Sequence, residues 1–552
     1  MIKRIELILS PEESLDDKFI LNLVTEKLRL KKTDKVHVEK DRRSIDARSR
    51  FPRISLLVNV YINELPKEEL PVSNNYKKVV SSKKVIIVGA GPAGYFAALE
   101  LIENGIKPIL FDRGKDARAR RKDLRAIQQF SEVNPDSNYC FGEGGAGTYS
   151  DGKLYTRSHK RGDIYKALKI LVEHGADPDI LVDSHPHIGS NKLPGVVQAI
   201  RETILKFGGE IHFDSKVTDF IIQDDTIKGV IVNQADDYLA DAVILATGHS
   251  ARDIFFLLHR KNIEIESKPF AIGIRAEHPQ ELIDEIQYKQ RHRDELLPAS
   301  SYKLVAQADG RGVFSFCMCP GGLIVPAATS PGELVVNGMS MSRRDSKFAN
   351  SGIVVALETN DYSIILKELA KQNPQGTKAL TEEYQTKHGL STGPGSDDKF
   401  TGKFNGLLIQ SMIEKNFFNA SGNNSQQAPA QKITDFVRGA ASSSLNDTSY
   451  IPGIYSHNFE NILTPFFTER LKTAFVEFGK KMRGYFSEEG MMIGIESRTS
   501  SPIKIPRDKI SYQHTHVKNL YPCGEGAGYA GGIISAALDG QNVAKAIALN
   551  QT

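Results

Sequence analysis

Cysteine is scarce: Cys140, Cys317, Cys319 and Cys523 are the four in 552 residues. So few cannot build a disulfide framework, and no C-x2-C pair is present for zinc or an iron–sulfur cluster. A surplus of one charge is also missing. With 71 Lys plus Arg against 67 Asp plus Glu, the net charge of +4 gives no global field toward nucleic acid or an anionic membrane. The longest uncharged stretch, residues 312–332, has the length to cross a bilayer, but Pro320, Pro326 and Pro331 break a spanning helix. The opening MIKRIELILSPEESLDDK is charged within four residues and lacks the apolar core of a signal peptide. These absences predict a protein of the reducing cytoplasm. What is present, 40% hydrophobic and 25% charged residues, is the balance of an ordinary globular chain, long enough for three to four domains at about 150 residues each.

The first 64 residues read as β-α-β-β. Ile5, Leu7 and Leu9 alternate, Ser14 is the expected cap of a helix striped by Leu15, Phe19, Leu23, Val24 and Leu28, and Val36, Val38 and the run ISLLVNVYI at 54–62 supply two more strands. Residues 41–53 carry Arg42, Arg43, Arg48, Arg50 and Arg53. Without interleaved aromatic rings this reads as a solvated hairpin face before a nucleic-acid or acidic-partner patch. The stretch 113–125, with Arg118, Arg120, Arg121 and Arg125, likewise reads as a solvated helix face before an RNA site. Polar, glycine-rich loops are expected at 388–404 and 419–431.

From residue 83 the pattern changes. An apolar strand at 85–88 runs into Gly89, Gly91 and Gly94, the G-x-G-x-x-G spacing, with Pro92 and Ala93 opening a helix that stops at Gly105. The first glycine makes a tight turn, the second admits a pyrophosphate to the backbone, and the third lets the helix pack closely. Asp112 stands at the end of the next strand, where an acid holds a ribose hydroxyl. A further glycine-rich segment, FGEGGAGTYSDGK at 141–153, suits a loop along a ribityl pyrophosphate, with Gly145, Ala146 and Gly147 permitting approach and Thr148, Ser150 and Lys153 offering donors. It is not a second dinucleotide fingerprint, so no separate nicotinamide domain is expected.

Asp112, Arg113 and Gly114 resemble the acid-Arg-Gly ending of FAD proteins of the glutathione-reductase-like superfamily. VILATG at 243–248 is similar to that fold's return strand, placing Ala246, Thr247 and Gly248 beside the nucleotide, and Lys216–Val217 resembles the end of a strand touching adenine. YPCGEGAGYAGGIISAALDG at 521–540 resembles the C-terminal flavin motif, with Gly524, Gly531, Gly532 and Ile533 at the cofactor and Glu525 where that motif has Asp. Its helix, starting near Gly532, would turn free N–H groups toward the flavin pyrimidine. With RRSIDARSR, GEGGAGTYSDGKLYTR, LATGHSARD, FSFCMCPGG, NGMSMSRRDSKFANS and GIESRTSSPIKI, the chain is identified as a member of the uncharacterised FAD-dependent dehydrogenase, or NAD(P)/FAD-dependent oxidoreductase, family. In HIGSNKL the resemblance implies Thr-Asp where this chain has Ser190 and Asn191.

The resemblance implies an α/β fold. Its parts are a small N-terminal βαββ unit with linker (1–80), a Rossmann-like FAD-binding domain in two pieces (81–265 and 506–552), and an inserted β-rich substrate domain (266–505). Candidates for the reacting face are Lys153, Arg498, Cys317, Cys319 and His249. Cys317 and Cys319 read either as a redox C-x-C pair facing flavin or as two buried core thiols, with burial the plainer reading. Arg498 reads equally as a carboxylate clamp or as a salt bridge where two domains cross. Arg343 and Arg344 read as acidic-substrate contacts or solvated charge. His249, with Arg252 and Asp253 after it, and His187 are proton relays or structural hydrogen-bonding groups. The expected activity is a cytoplasmic FAD-dependent oxidoreductase passing hydride between a small, acidic or neutral substrate and flavin N5, with NAD(P)H binding transiently if it is used. The alternatives are a flavin monooxygenase or oxidase, and an RNA-associated or redox-sensing flavoprotein.

Overall fold

Strict alternation builds the first unit. Along the strand Arg53–Ile62 every second residue, Ile54 to Ile62, is buried, and the strands Ile2–Leu9 and Val36–Asp46 pair with it antiparallel on either side. The helix Asp17–Lys27 lays Ile20 and Val24 on that face. Its cap is Asp16, whose carboxylate accepts from Lys18 N and Phe19 N at 2.9 and 3.0 Å, and not Ser14, which sits in the preceding 3-10 turn and donates to Pro11 O. Leu15 and Phe19, part of the expected stripe, face solvent. Arg43 docks this unit on the main body: its N–H donates to Val182 O, its carbonyl accepts from Ser184 N, and its guanidinium pairs with Asp179 and Asp183.

The computed structural model describes residues 1–80, 82–156, 161–388 and 402–550. Its centre is a parallel sheet in the order Leu520–Pro522, Ala242–Leu245, Lys84–Val88, Lys107–Phe111 and Glu210–His212. The outermost strand comes from the far end of the chain, so two distant segments complete one sheet. Beneath it the helices Pro92–Glu103 and Ile533–Asn550 pack closely: a Cβ on Gly540 would lie 2.1 Å from Ala93 O. Lys216 and Val217 fall at the beginning of a strand, Val217–Gln223, rather than at an end.

Between these pieces a seven-stranded sheet runs Val305–Ala308, Arg311–Cys319, Phe348–Leu357, Phe270–Pro279, Met491–Glu496, Ala428–Lys432 and Ile454–Ser456. Long helices, including Tyr362–Gln372, Asn405–Asn419 and Pro465–Lys481, make this part mixed α/β where the sequence suggested mainly strands. The loop expected at 419–431 contains most of the strand Ala428–Lys432, and the loop at 388–404 lies largely outside the described residues. Arg120, expected on a solvated face, is fully buried, with its guanidinium donating to Asn138 O and Glu143 O, while Arg118, Arg121 and Arg125 are exposed. Among the described residues no helix is long and apolar enough to cross a membrane.

Candidate functional site

Strand ends, glycine turns and two helix starts converge on one cavity of about 400 Å³, within the ~300–1,000 Å³ of small-molecule sites. The fingerprint gives it Gly89, Gly91, Pro92 and Ala93. Gly89 holds φ +107, and a Cβ there would sit 2.4 Å from Ala246 O, so only glycine makes this turn. Asp112 and Arg113 line the same wall. Asp112 is buried and ties the turn together, Oδ2 accepting from Ala90 N and Oδ1 from Gly114 N, both at 2.9 Å. Burial raises its pKa, and these hydrogen bonds oppose the rise. Arg113 lies over the Phe141 ring and pairs with Asp136 and Asp253.

The predicted loop contributes Gly145, Ala146, Gly147, Ser150 and Lys153, the return strand Ala246, Thr247 and Gly248, and the chain between them Val217. The C-terminal motif adds Glu525, Gly531, Gly532 and Ile533. Three predicted residues do not reach the cavity. Gly94 is packing: a Cβ there would lie 2.0 Å from Gly89 O. Thr148 turns inward to donate to Glu143 O, and Gly524 presents its N–H to Asp539. Lys216 lines the cavity beside Val217, and Asp151, Phe316, Asn337 and Thr499 join it from within the segments that carry the family resemblance, where residue type alone did not single them out as cofactor contacts.

Lys153, Cys317, His249 and Arg498 also line the cavity, whereas Cys319 is fully buried. Arg498 is not an available clamp. Its Nε and one terminal nitrogen bind Glu414, that nitrogen also binds Glu333 at 2.7 Å, and the other reaches Thr329. Arg252 joins the same two carboxylates, and the resulting network ties the helix Asn405–Asn419 to the segment after Met491–Glu496. Despite burial, Arg252 and Arg498 hold Glu414 at about 2. His249 is driven down to about 3 by burial and by Arg498, Arg252 and Lys268, so it is neutral at physiological pH and cannot supply a proton there. His187 sits outside the wall, its Nε2 3.1 Å from Ser342 O. Arg344 is bound to Asp151 at 2.7 Å, and Arg343 is exposed. Burial lifts Glu525 to about 7 against the pull of Lys268. A group that titrates near neutrality thus sits in the wall, a property the sequence does not display.

Lys153 Nζ lies 3.6 Å from Asp151, 3.9 Å from Cys317 Sγ and 3.7 Å from Cys319 Sγ. Burial works against its charge, yet the two sulfurs and Asp151 raise its pKa. The hydrogen bond from Cys319 pulls Cys317 well below the usual thiol range; burial opposes this, and Lys153 and Arg275 reinforce it.

A model of an FAD binding domain matches residues 82–127, one described as FAD-dependent protein, C-terminal domain-like, matches 269–499, and one of a domain of unknown function matches 1–61. The chain is 37% identical to an uncharacterised protein of Clostridium beijerinckii, with 97% of each covered. The chain belongs to this family of FAD-dependent proteins. FAD is its cofactor. Among solved structures, FqzB is 15% identical at TM-score 0.24, with 52% of this chain matched to 55% of that one. CtdE in complex with FAD is 12% identical at TM-score 0.28, over 85% and 84% of the two chains. Thioredoxin reductase of Lactococcus lactis is 17% identical at TM-score 0.18, over 30% and 36%. Such distant likenesses transfer no reaction.

The cavity of this flavoprotein fits the cofactor on its own terms. The helix Pro92–Glu103 begins at Gly91 with no side chain capping its free N–H groups, which leaves them available to an anion such as a pyrophosphate. A Cβ added at Gly248, Gly531 or Gly532 would meet nothing within 4 Å, leaving backbone open to a flat ring system.

Proposed function

We propose that this chain is an oxidoreductase whose FAD-binding part has the glutathione-reductase-like arrangement. In that arrangement 81–265 and 506–552 form the nucleotide domain, and 266–505 supplies the substrate side. The observation that carries the reading is the two-sided cavity. The glycine turns and two helix starts form one wall, and Lys153, Cys317, Phe316 and Asn337 form the other. When bound, FAD supplies the two-electron chemistry, hydride passing to or from flavin N5.

The chain's own residues do the rest. The start of Pro92–Glu103 binds the pyrophosphate, and Asp112 holds the ribose through lone pairs its backbone bonds leave over. The start of Ile533–Asn550 would present its positive dipole end to the bound cofactor and so favour negative charge there. Lys153 orients a small-molecule substrate against that ring. Glu525, poised near pH 7, exchanges a proton within the cavity, and neutral His249 accepts a hydrogen bond. Arg498 and Arg344 are held by carboxylates, so an acidic substrate would rest on Lys153, which shares Asp151 with Arg344 at the longer distance of 3.6 Å.

The test is anaerobic addition of NADH or NADPH to the yellow protein while the flavin band near about 450 nm is followed. Bleaching is expected, with slow return in air for a dehydrogenase and fast return for a monooxygenase or oxidase. No bleaching with either nucleotide would remove the nicotinamide donor from this reading, and a protein unable to hold FAD would end it.

A further inference from the structure

The strand Arg311–Cys319 keeps its ladder with Phe348–Leu357 as far as Phe316 opposite Gly352 and resumes at Cys319 opposite Asn350. One residue too many is fitted between those points, and Cys317 takes φ +44, a left-handed conformation that non-glycine residues rarely hold. The bulge brings Cys317 to the cavity wall while Cys319 stays fully buried.

Two cations bracket the pair. Lys153 Nζ is within 3.9 Å of both sulfurs, and the fully buried Arg275 donates to Cys317 O at 2.7 Å and to Cys319 Sγ at 3.5 Å while bound to Glu496. Core thiols have no need of a lysine and an arginine; a thiolate does. Burial explains Cys319 alone, but it leaves the strained, cavity-facing Cys317 without a reason.

We propose that Cys317 and Cys319 form a dithiol–disulfide couple that exchanges two electrons with the flavin. The proposal rests on the reading that the flavin ring occupies this cavity against the Lys153 wall. In the oxidising direction the Cys317 thiolate and the Cys319 thiol lose two electrons and one proton as the S–S bond forms. Both electrons and the proton pass to oxidised flavin, leaving it as its two-electron-reduced anion. In the reverse direction the bond breaks and Lys153 holds the Cys317 thiolate that is released. A ring closed between residues two apart is strained and easily reduced, which suits a couple that cycles rather than a permanent crosslink.

The test is an anaerobic dithionite titration of holoprotein pretreated with diamide and desalted, with iodoacetamide alkylation and mass spectrometry of the peptide containing both cysteines before and after. The wild type should take up about four electrons per flavin, two for the ring and two for the disulfide, and Cys317→Ser and Cys319→Ser about two. The peptide should be unalkylated before titration and doubly alkylated after it. The flavin absorption of each serine variant reports that it has folded. A yellow wild type that takes up only two electrons, whether its cysteines alkylate freely after diamide or stay disulfide-bonded throughout, overturns the couple and leaves the oxidoreductase reading intact. A protein that cannot be reconstituted with FAD overturns both.

Discussion

Lys153 Nζ stands 3.9 Å from Cys317 Sγ across 164 residues of sequence. The contact joins a loop of the nucleotide-binding part to a strand of the inserted sheet, and it places an ammonium beside a sulfur that lines the cavity. A thiol so placed should be reactive at neutral pH. In Lys153→Met the pH midpoint of Cys317 alkylation should rise by at least about one unit, slowing the reaction about tenfold at pH values below the wild-type midpoint. Rates from peptide mass spectrometry check this, and an unchanged profile would remove Lys153 from the activation of Cys317.

The fingerprint glycines separate binding from folding. Gly91 has room for a methyl group, since a Cβ would meet only Gly145 Cα at 4.0 Å, but that methyl would project into the cofactor's space. Gly91→Ala should therefore fold and bind FAD at least about tenfold more weakly, ~1.4 kcal/mol. Gly94→Ala puts Cβ 2.0 Å from Gly89 O and should lose about 1–3 kcal/mol of stability or fail to fold. Fluorescence titration with FAD and urea unfolding distinguish the two, and equal behaviour of the variants would contradict the assignment.

Arg498 predicts a stability effect of its own. Removing its charge leaves Glu414, which is wholly buried, with Arg252 as its one ion-pair partner among the described residues. Arg498→Ala should cost about 3–5 kcal/mol in urea unfolding, and combining it with Glu414→Gln should recover part of that. A loss of turnover without loss of stability would return Arg498 to the substrate.

Glu277, buried in the inserted sheet and bonded to the N–H and hydroxyl of Ser449, is lifted by burial from 4.5 to about 7. A carboxyl raised on folding stabilises the native state below its unfolded pKa, and that contribution disappears as pH rises to the folded value. Glu277→Gln should track the wild type near pH 4 and gain on it between about pH 4.5 and 7, by about 3 kcal/mol at full deprotonation. Urea unfolding at several pH values measures the difference, and a pH-independent gap would mean Glu277 is not raised.

Much of the nucleotide wall was legible because local backbone chemistry writes it. Gly89, Gly91 and Asp112 are imposed by a turn, a close approach and a strand end, each within one βαβ unit, and such constraints show in contiguous residues. The helix start at Gly532 was legible for the same reason. Gly94, Thr148 and Gly524 carry the motif but serve packing and loop closure, a difference decided by which neighbour lies 2 to 3 Å away rather than by residue type.

The sequence by itself determined the alternating N-terminal sheet, the dinucleotide-type turn and the glycines that line the cavity, since each depends on periodicity or spacing over a few residues. Only the tertiary structure decided the chemistry of the opposite wall. The bulge at Cys317, the carboxylates that occupy Arg498, and the burial that sets His249 near 3 and Glu525 near 7 arise from segments tens to hundreds of residues apart. Charge and desolvation act through space, and the order of residues along the chain does not record them.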